Sequence, residues 1–226
     1  MRKTIFDDGF QAYLTEGATI VGAAGIPMLM DLDNVQIPKD MLPFGKARTC
    51  RNKRQYIHFY QHDKEFSRVL TATTRYIDVL KLYDGVITPD CTMMIGQSPC
   101  LQQANTYMNR AVGFYLQRQG IPVIPNIRWS DESSFEYCFL GVHPGSIVSV
   151  STHGCIRDKK QKMMFKIGLE AMPIWFPFAS FMEQRIFLKA KASDPVQDTD
   201  QILQILKRII RFGSYDFAVR DASDHV

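Results

Sequence analysis

Three stretches gather most of the residue types that could do chemistry in this chain: Thr88-Pro-Asp90, Asn126-Ile-Arg-Trp-Ser-Asp131 and Ser151-Thr-His-Gly-Cys155. Asp90 and Asp131 are candidates for acid–base work, since a carboxyl can pass a proton near neutrality when its surroundings raise its pKa. His153 is a third candidate, because an imidazole titrates in that range without help. Arg128 could hold an anion, and Asn126, Trp129, Ser151 and Thr152 offer an amide, an aromatic ring and hydroxyls to a ligand. Cys155 could be a nucleophile beside His153 if a helix N-terminus acidified it. A small thiol packed after a glycine is the plainer alternative. Polar loops at strand ends are also expected for solvation and helix capping alone, and Asp131 could serve only as a cap.

The basic residues form a second group. Arg157, Lys159, Lys160 and Lys162 crowd the first turns of the next helical pattern, where the macrodipole disfavours cations and only Asp158 offsets them. A bound anion would account for them, with N–H groups of the 151–155 turn as further donors. Long side chains bending into water would account for them equally. The basic segment 46–54 could join the same surface and contact phosphates, or be a solvated loop. Trp129 and Tyr60 could stack on a base or sugar, or cover the core. His58 and His62 have no convincing third ligand, so no metal is expected, nor any cofactor.

These groups can meet only if the strands ahead of them run the same way. Ile147 to Val150 is a β-branched run, and Val86-Ile87, Tyr56 to Tyr60 and Ile121 to Arg128 read as further strands, the last bent by its prolines. Helical patterns follow them. Asp63 is expected to cap one; Ser98 with Pro99 starts a longer one that Gly120 closes. In that longer helix Leu101, Ala104, Met108, Ala111, Val112, Tyr115 and Leu116 share one face at ~100° per residue. Asn105 falls inside that face, so it either ties down backbone or faces a ligand. Arg110 falls opposite, with Thr106 and Gln117, and is assigned to solvent.

Repeated strand–helix units imply parallel strands joined by right-handed crossovers. The fold class expected is therefore α/β, a largely parallel sheet of repeated strand–helix units. A partial (β/α) barrel is slightly preferred over an open doubly wound sheet. Ile26 to Leu32 could be a first strand and 33–43 a loop. The whole chain, 1–226, reads as a single α/β domain, with a lead-in over 1–42, a core over 43–172 and a C-terminal part over 173–226 that carries a helix at 199–212.

With 46% hydrophobic residues the chain is not a disordered one. No apolar run reaches membrane-spanning length and the start lacks a signal peptide, so a cytoplasmic protein with no membrane contact is expected. Five cysteines without a CxxC pair argue against a disulfide framework. The formal charge of +4 is too mild to demand a nucleic-acid partner.

Many short motifs occur together and in order: Pro43-Phe-Gly-Lys-Ala-Arg48, His58-Phe-Tyr60, Gly85-Val-Ile-Thr-Pro-Asp90, Asn105 with Asn109-Arg110, Ile121-Pro-Val-Ile-Pro125, Trp129-Ser-Asp131, Ser134-Phe135, and Gly145-Ser-Ile-Val148 with Ser151-Thr152 and Gly154. Over about residues 43–172 the chain resembles a domain family of unknown function found in Firmicutes, their phages and mobile elements. That resemblance implies a phage or mobile-element setting and transfers no catalytic roles. The function expected is a pocket at the strand ends that binds or acts on a phosphate-bearing small molecule or nucleic acid. The alternative is a non-enzymatic accessory protein that binds nucleic acid or a host protein, an inhibitor of host defence being one form of it.

Overall fold

Neighbouring strands that run the same way need a crossover long enough to bring the chain back, and a helix is the usual one. A computed structural model of the chain, describing residues 11–31, 35–144, 146–155, 157–175, 185–189 and 216–220, is built this way. It begins with a small antiparallel hairpin, β1 (Ile20–Val21) against β2 (Ile26–Pro27). A four-stranded parallel sheet follows in chain order: β3 (Met41–Pro43), β4 (Tyr56–His58), β5 (Gly85–Ile87) and β6 (Val123–Ile124). Helices α1 (Asp63–Thr71) and α2 (Ile77–Leu80) carry the chain from β4 to β5, and α3 (Pro99–Arg118) from β5 to β6. After α4 (Phe135–Cys138) comes β7 (Val148–Ser151), then α5 (Lys159–Trp175). Strands β8 (Arg185–Lys189) and β9 (Asp216–Arg220) pair in parallel beyond β7. A single parallel bridge between Asn126 and Ser149 joins the two sheets, so the strand order never reverses among the described strands.

Strands β4 to β7 are buried on both faces, which is why they read as nearly continuous apolar runs. Alternate residues divide between two layers. Ile57, Val86 and Val123 pack with Phe66, Val69, Leu80, Val112 and Leu116 from the helices. Tyr56, Ile87 and Ile124 turn the other way and meet Tyr60 and Ile147. Burying side chains of this size is worth about 1.5–3 kcal/mol each. Close approach needs glycine at Gly113, where a Cβ would lie 2.6 Å from Thr88 Cγ2 and 2.9 Å from Leu29 Cδ2. That lets α3 settle directly onto the end of β5.

Two expectations need correction. The first strand of the parallel sheet is Met41-Leu42-Pro43, inside the stretch read as a loop, whereas Ile26-Pro27 belongs to the separate hairpin. Aspartate, asparagine and proline around β3 signal a loop, yet proline is tolerated on an edge strand, and β3 is the edge. The second correction concerns α3. Its C-terminal half buries Ala111, Val112 and Leu116 as expected, but Leu101 near its start is 54% exposed. The side turned inward there is the polar one, with Gln102, Thr106, Asn109 and Arg110 all buried and Gln117 buried further on. Arg110, assigned to solvent, is 1% exposed. Irregular backbone packed against α3 explains the inversion, because its carbonyls need donors that apolar side chains cannot give. The expected helix at 199–212 lies outside the described residues.

Candidate functional site

With the strands parallel, the segments leaving β4, β5, β6 and β7 emerge on one edge. Thr88-Pro89-Asp90 leaves β5, and Pro89 prevents the ladder from continuing. The Thr88 hydroxyl donates to Asn109 Oδ1 (3.0 Å) and accepts the Asn126 N–H (2.7 Å), fixing this exit to the next. Asp90 is buried, and its two oxygens are held from opposite sides. Asn126 Nδ2 donates to Oδ1 at 2.8 Å, and Arg128 Nη1 lies 3.4 Å from Oδ2.

Asn126 is itself clamped. Its Oδ1 accepts from the Tyr60 hydroxyl at 3.3 Å, and its carbonyl accepts from Arg110 Nη1 at 3.0 Å and Asn109 Nδ2 at 3.3 Å. The Tyr60 hydroxyl also contacts Ser149 Oγ of β7. Behind the carboxylate there is thus a layer of buried amides, hydroxyls and guanidinium with defined partners, which fixes Asp90 in one orientation.

Arg128 is the other fixed charge. Its Nη1 donates to the His153 carbonyl at 2.8 Å as well as facing Asp90. Its Nε is buried and finds no hydrogen-bond partner among the described residues. The 152–155 turn lies close over the guanidinium: a Cβ on Gly154, which has φ +75°, would sit 3.5 Å from Arg128 Nη2. Ser151 Oγ accepts the His153 N–H at 3.1 Å and shapes that turn. The His153 ring stands 6.3 Å from the His62 ring, nearly perpendicular to it.

A cleft of about 120 Å³ opens between these groups. One side is polar, with Asp90, Arg128, His62, His153, Ser151 and Arg157; the other is apolar, with Met94, Ile95, Ile127 and Phe165. Burial pushes the Asp90 carboxyl above its ordinary pKa. Arg128 and Asn126 oppose the shift and Asp63 adds to it. For Arg128, burial works against the charge, but the anionic surroundings, Asp90 foremost, outweigh it and the pKa is raised. Burial keeps Tyr60 a neutral phenol and Cys91 and Cys138 neutral thiols. Among the described residues no cluster of three or more His, Cys, Asp or Glu side chains is arranged to hold a metal.

The candidates from the sequence therefore separate. Asp90, Arg128, Ser151 and His153 line the cleft, and Cys155 joins them. Asn126 lies just behind, holding Asp90, and Thr152 is buried beneath the turn. Trp129 reaches the cleft wall but is 5% exposed; its ring stacks on Phe165 at 5.3 Å and its Nε1 donates to the Met164 carbonyl. Little of the ring is left for a base. Asn105 donates to the Thr92 carbonyl at 2.5 Å, which ties down backbone, the first of its two expected roles. Asp131 does not line the cleft: its Oδ1 accepts from the Ser133 N–H and hydroxyl, a cap on the next turn. Arg157 is exposed at the rim, and Lys159 and Lys160 are exposed at the start of α5 outside the lining. The segment 46–54 does not join them as a unit. Lys53 lies over the Tyr83 ring at 4.4 Å, where both precede their strands, at the opposite edge of the sheet.

Several site residues carried no sequence signal of their role. Asp63, expected as a helix cap, accepts instead from the Thr92 N–H (3.2 Å) and hydroxyl (2.7 Å), bracing the loop beyond Asp90. His62 stands by His153 rather than by His58, whose buried ring stacks on Tyr60. Tyr60 reaches the site through its hydroxyl, while its face is taken by His58 rather than left for a ligand.

Residues 18–174 match the family described as a domain of unknown function, DUF4417. The chain belongs to this family. The DUF4417 match begins well ahead of the expected residue 43 and takes in the β1–β2 hairpin, and it contains every cleft residue named above. Two phage proteins are similar to it: the "Gene 1 protein" of Mycobacterium phage L5, 31% identical over 116 residues, and the "Gene 1 protein" of Mycobacterium phage D29, 28% identical over 116 residues. The aligned part is 51% of this chain in both, and 51% and 43% of the respective relatives. The chain spans about half the length of the curated relatives it matches. The expected phage association is met at that level, while its Firmicutes part has no counterpart in these two relatives. No solved structure matches the chain. Among the described residues no helix is long and apolar enough to cross a membrane.

Proposed function

We propose that this DUF4417 protein binds a phosphate-bearing small molecule in the strand-end cleft and acts on it by hydrolysis or group transfer, in the cytoplasm. Arg128 anchors the anion, Asp90 carries the proton, and His153 closes the polar wall. The observation that carries this reading is the Arg128 guanidinium. It is pinned by Asp90 and the His153 carbonyl, yet its buried Nε has no acceptor among the described residues. A buried donor left unpaired costs about 1–3 kcal/mol, and an oxyanion that displaced its cover and reached it would remove that cost. The raised pKa of Asp90 brings the carboxyl toward the range where it can both hold and release a proton. The apolar wall opposite suits the body of a nucleotide or similar ligand.

The architecture behind the cleft we read as a partial (β/α) barrel. Tyr60 at the end of β4 touches Ser149 in β7, three strand positions away along the sheet order. In a flat sheet that separation is roughly 14 Å at ~4.8 Å per strand, beyond the reach of one tyrosine. Curling of the sheet toward closure brings the two together.

The test is a thermal-shift series over nucleotides, sugar phosphates and short DNA and RNA, on the full chain and on Arg128→Gln. Stabilisation by a phosphate-bearing compound, lost in the variant, is expected. An absence of shift from every such compound, or a shift that Arg128→Gln leaves intact, sinks the reading. The exposed Arg157, Lys159 and Lys160 favour a second one, an accessory protein that binds nucleic acid without chemistry. It requires affinity that falls steeply with salt and depends on those three residues.

A further inference from the structure

Asp90 and a ligand's anionic group want the same partner. Arg128 is the cation nearest the carboxylate, through Nη1 at 3.4 Å, and it is also the buried cation on the cleft wall. Another anion at that guanidinium stands beside a buried carboxylate, and two negative charges in a shared, poorly solvated site do not both stay ionised. On geometry alone, we infer that anion binding in the cleft is an exchange, in which the ligand takes over Arg128 as Asp90 takes up a proton and becomes a neutral carboxylic acid. Net uptake is then one anion together with one proton. This rests on the cleft reading above and adds to it the protonation state of what binds.

The surroundings of Asp90 support the exchange. Asn126 keeps Oδ1 occupied whichever form Asp90 takes, so the proton belongs on Oδ2, the oxygen that Arg128 gives up. Asp63 at the start of α1 adds negative potential, and burial already favours the neutral acid. Of the other titratable groups around it, Tyr60 and Cys91 stay protonated because burial raises both. Arg110 behind the layer stays charged at neutral pH, its pKa lowered by burial only to about 10. His62, His153, Cys155 and Arg157 line the same cleft. The test has to separate these groups from Asp90.

Sulfate is the probe, because it mimics a phosphate group without titrating between pH 5 and 9. Binding to the full chain is followed by calorimetry across that range, in two buffers with different heats of protonation. The exchange predicts an interval in which the sulfate Kd weakens about tenfold per pH unit, with about one proton taken up per sulfate. Asp90→Asn places a permanently neutral group at the same position. It is expected to bind sulfate with little pH dependence, and at alkaline pH more tightly than wild type. Zero proton uptake by the wild-type chain overturns the exchange even if the variant fails to fold, as does an unchanged pH slope in Asp90→Asn, which would assign the dependence to the histidines or Cys155. Binding that requires Arg128 but is flat with pH removes the exchange and leaves the anion anchor standing. Failure of sulfate and of every phosphate compound to bind at any pH removes both.

Discussion

Arg110 is the most exacting test of the buried polar layer. The side chain is 1% exposed and donates from Nε to the Leu140 carbonyl (2.9 Å), from Nη1 to the Asn126 carbonyl (3.0 Å) and from Nη2 to the Cys138 carbonyl (2.9 Å). Nη1 also meets Asn109 Oδ1. None of these acceptors is a carboxylate. Arg110→Met strands the carbonyls of Leu140 and Cys138. The Asn126 carbonyl keeps Asn109 Nδ2, and Asn109 Oδ1 keeps the Thr88 hydroxyl. Two orphaned acceptors cost about 2–6 kcal/mol together, and because both are backbone they cannot be replaced by apolar groups. Against this, methionine no longer buries a charge. Burial lowers the Arg110 pKa from the usual guanidinium value to about 10, which at ~1.4 kcal/mol per tenfold is worth about 3 kcal/mol. The net change expected for Arg110→Met is therefore small, from a gain of about 1 kcal/mol to a loss of about 3 kcal/mol. Arg110→Lys keeps the charge that the wild-type chain already buries but cannot fork to three carbonyls, so it loses about 2–6 kcal/mol without the offset that methionine gains. Urea unfolding at neutral pH, followed by circular dichroism, ranks the two. The conservative change should be the worse one. A lysine variant milder than the methionine variant would refute this reasoning, because it would mean that charge rather than fork geometry is what the site needs.

Gly141 has φ +77° and a Cβ there would lie 2.5 Å from the Pro27 carbonyl oxygen, so Gly141→Ala should cost about 1–3 kcal/mol in urea unfolding; a neutral outcome would contradict that close packing. Asn126→Ala should destabilise more than Asn105→Ala, because Asn126's amide bonds both Tyr60 and Asp90 inside the protein, whereas a single carbonyl, that of Thr92, accepts from half-buried Asn105. Equal midpoints for the two would remove the special place given to Asn126. Asp90 gives a pH signature of definite sign. Its pKa is raised in the fold, so the unfolded chain releases the proton first and wild-type stability relative to Asp90→Asn should fall as pH rises from ~4 through the native value. Midpoints measured from pH 4 to 8 that differ by a constant amount would exclude a raised native pKa.

How much of this was legible in the sequence follows from which rules are local. The strand–turn–helix order around Ile147 to Met172 was readable because β-branched runs, a turn glycine and a helical pattern are each signalled within a few residues. Parallel strands then bring Asp90, Arg128 and His153 to one edge without any knowledge of distances. β3 was not readable, since its residues pair only because β4 lies beside them. The face of α3 was misread for a related reason. A helical wheel takes polar residues to face water, but near the site the groups packed on the helix are loop carbonyls, and Gln102, Asn109 and Arg110 face those instead. Asp63 shows the same competition on a smaller scale, since capping and bracing Thr92 both suit a carboxylate at a helix start and only the fold selects between them. Tyr60 is the extreme case, because its hydroxyl matters only if the sheet curves enough to bring Ser149 within reach. Local rules located the rim of the cleft. The buried layer that aims its charges depends on contacts between residues as far apart as Tyr60 and Ser149, and no local pattern specifies those.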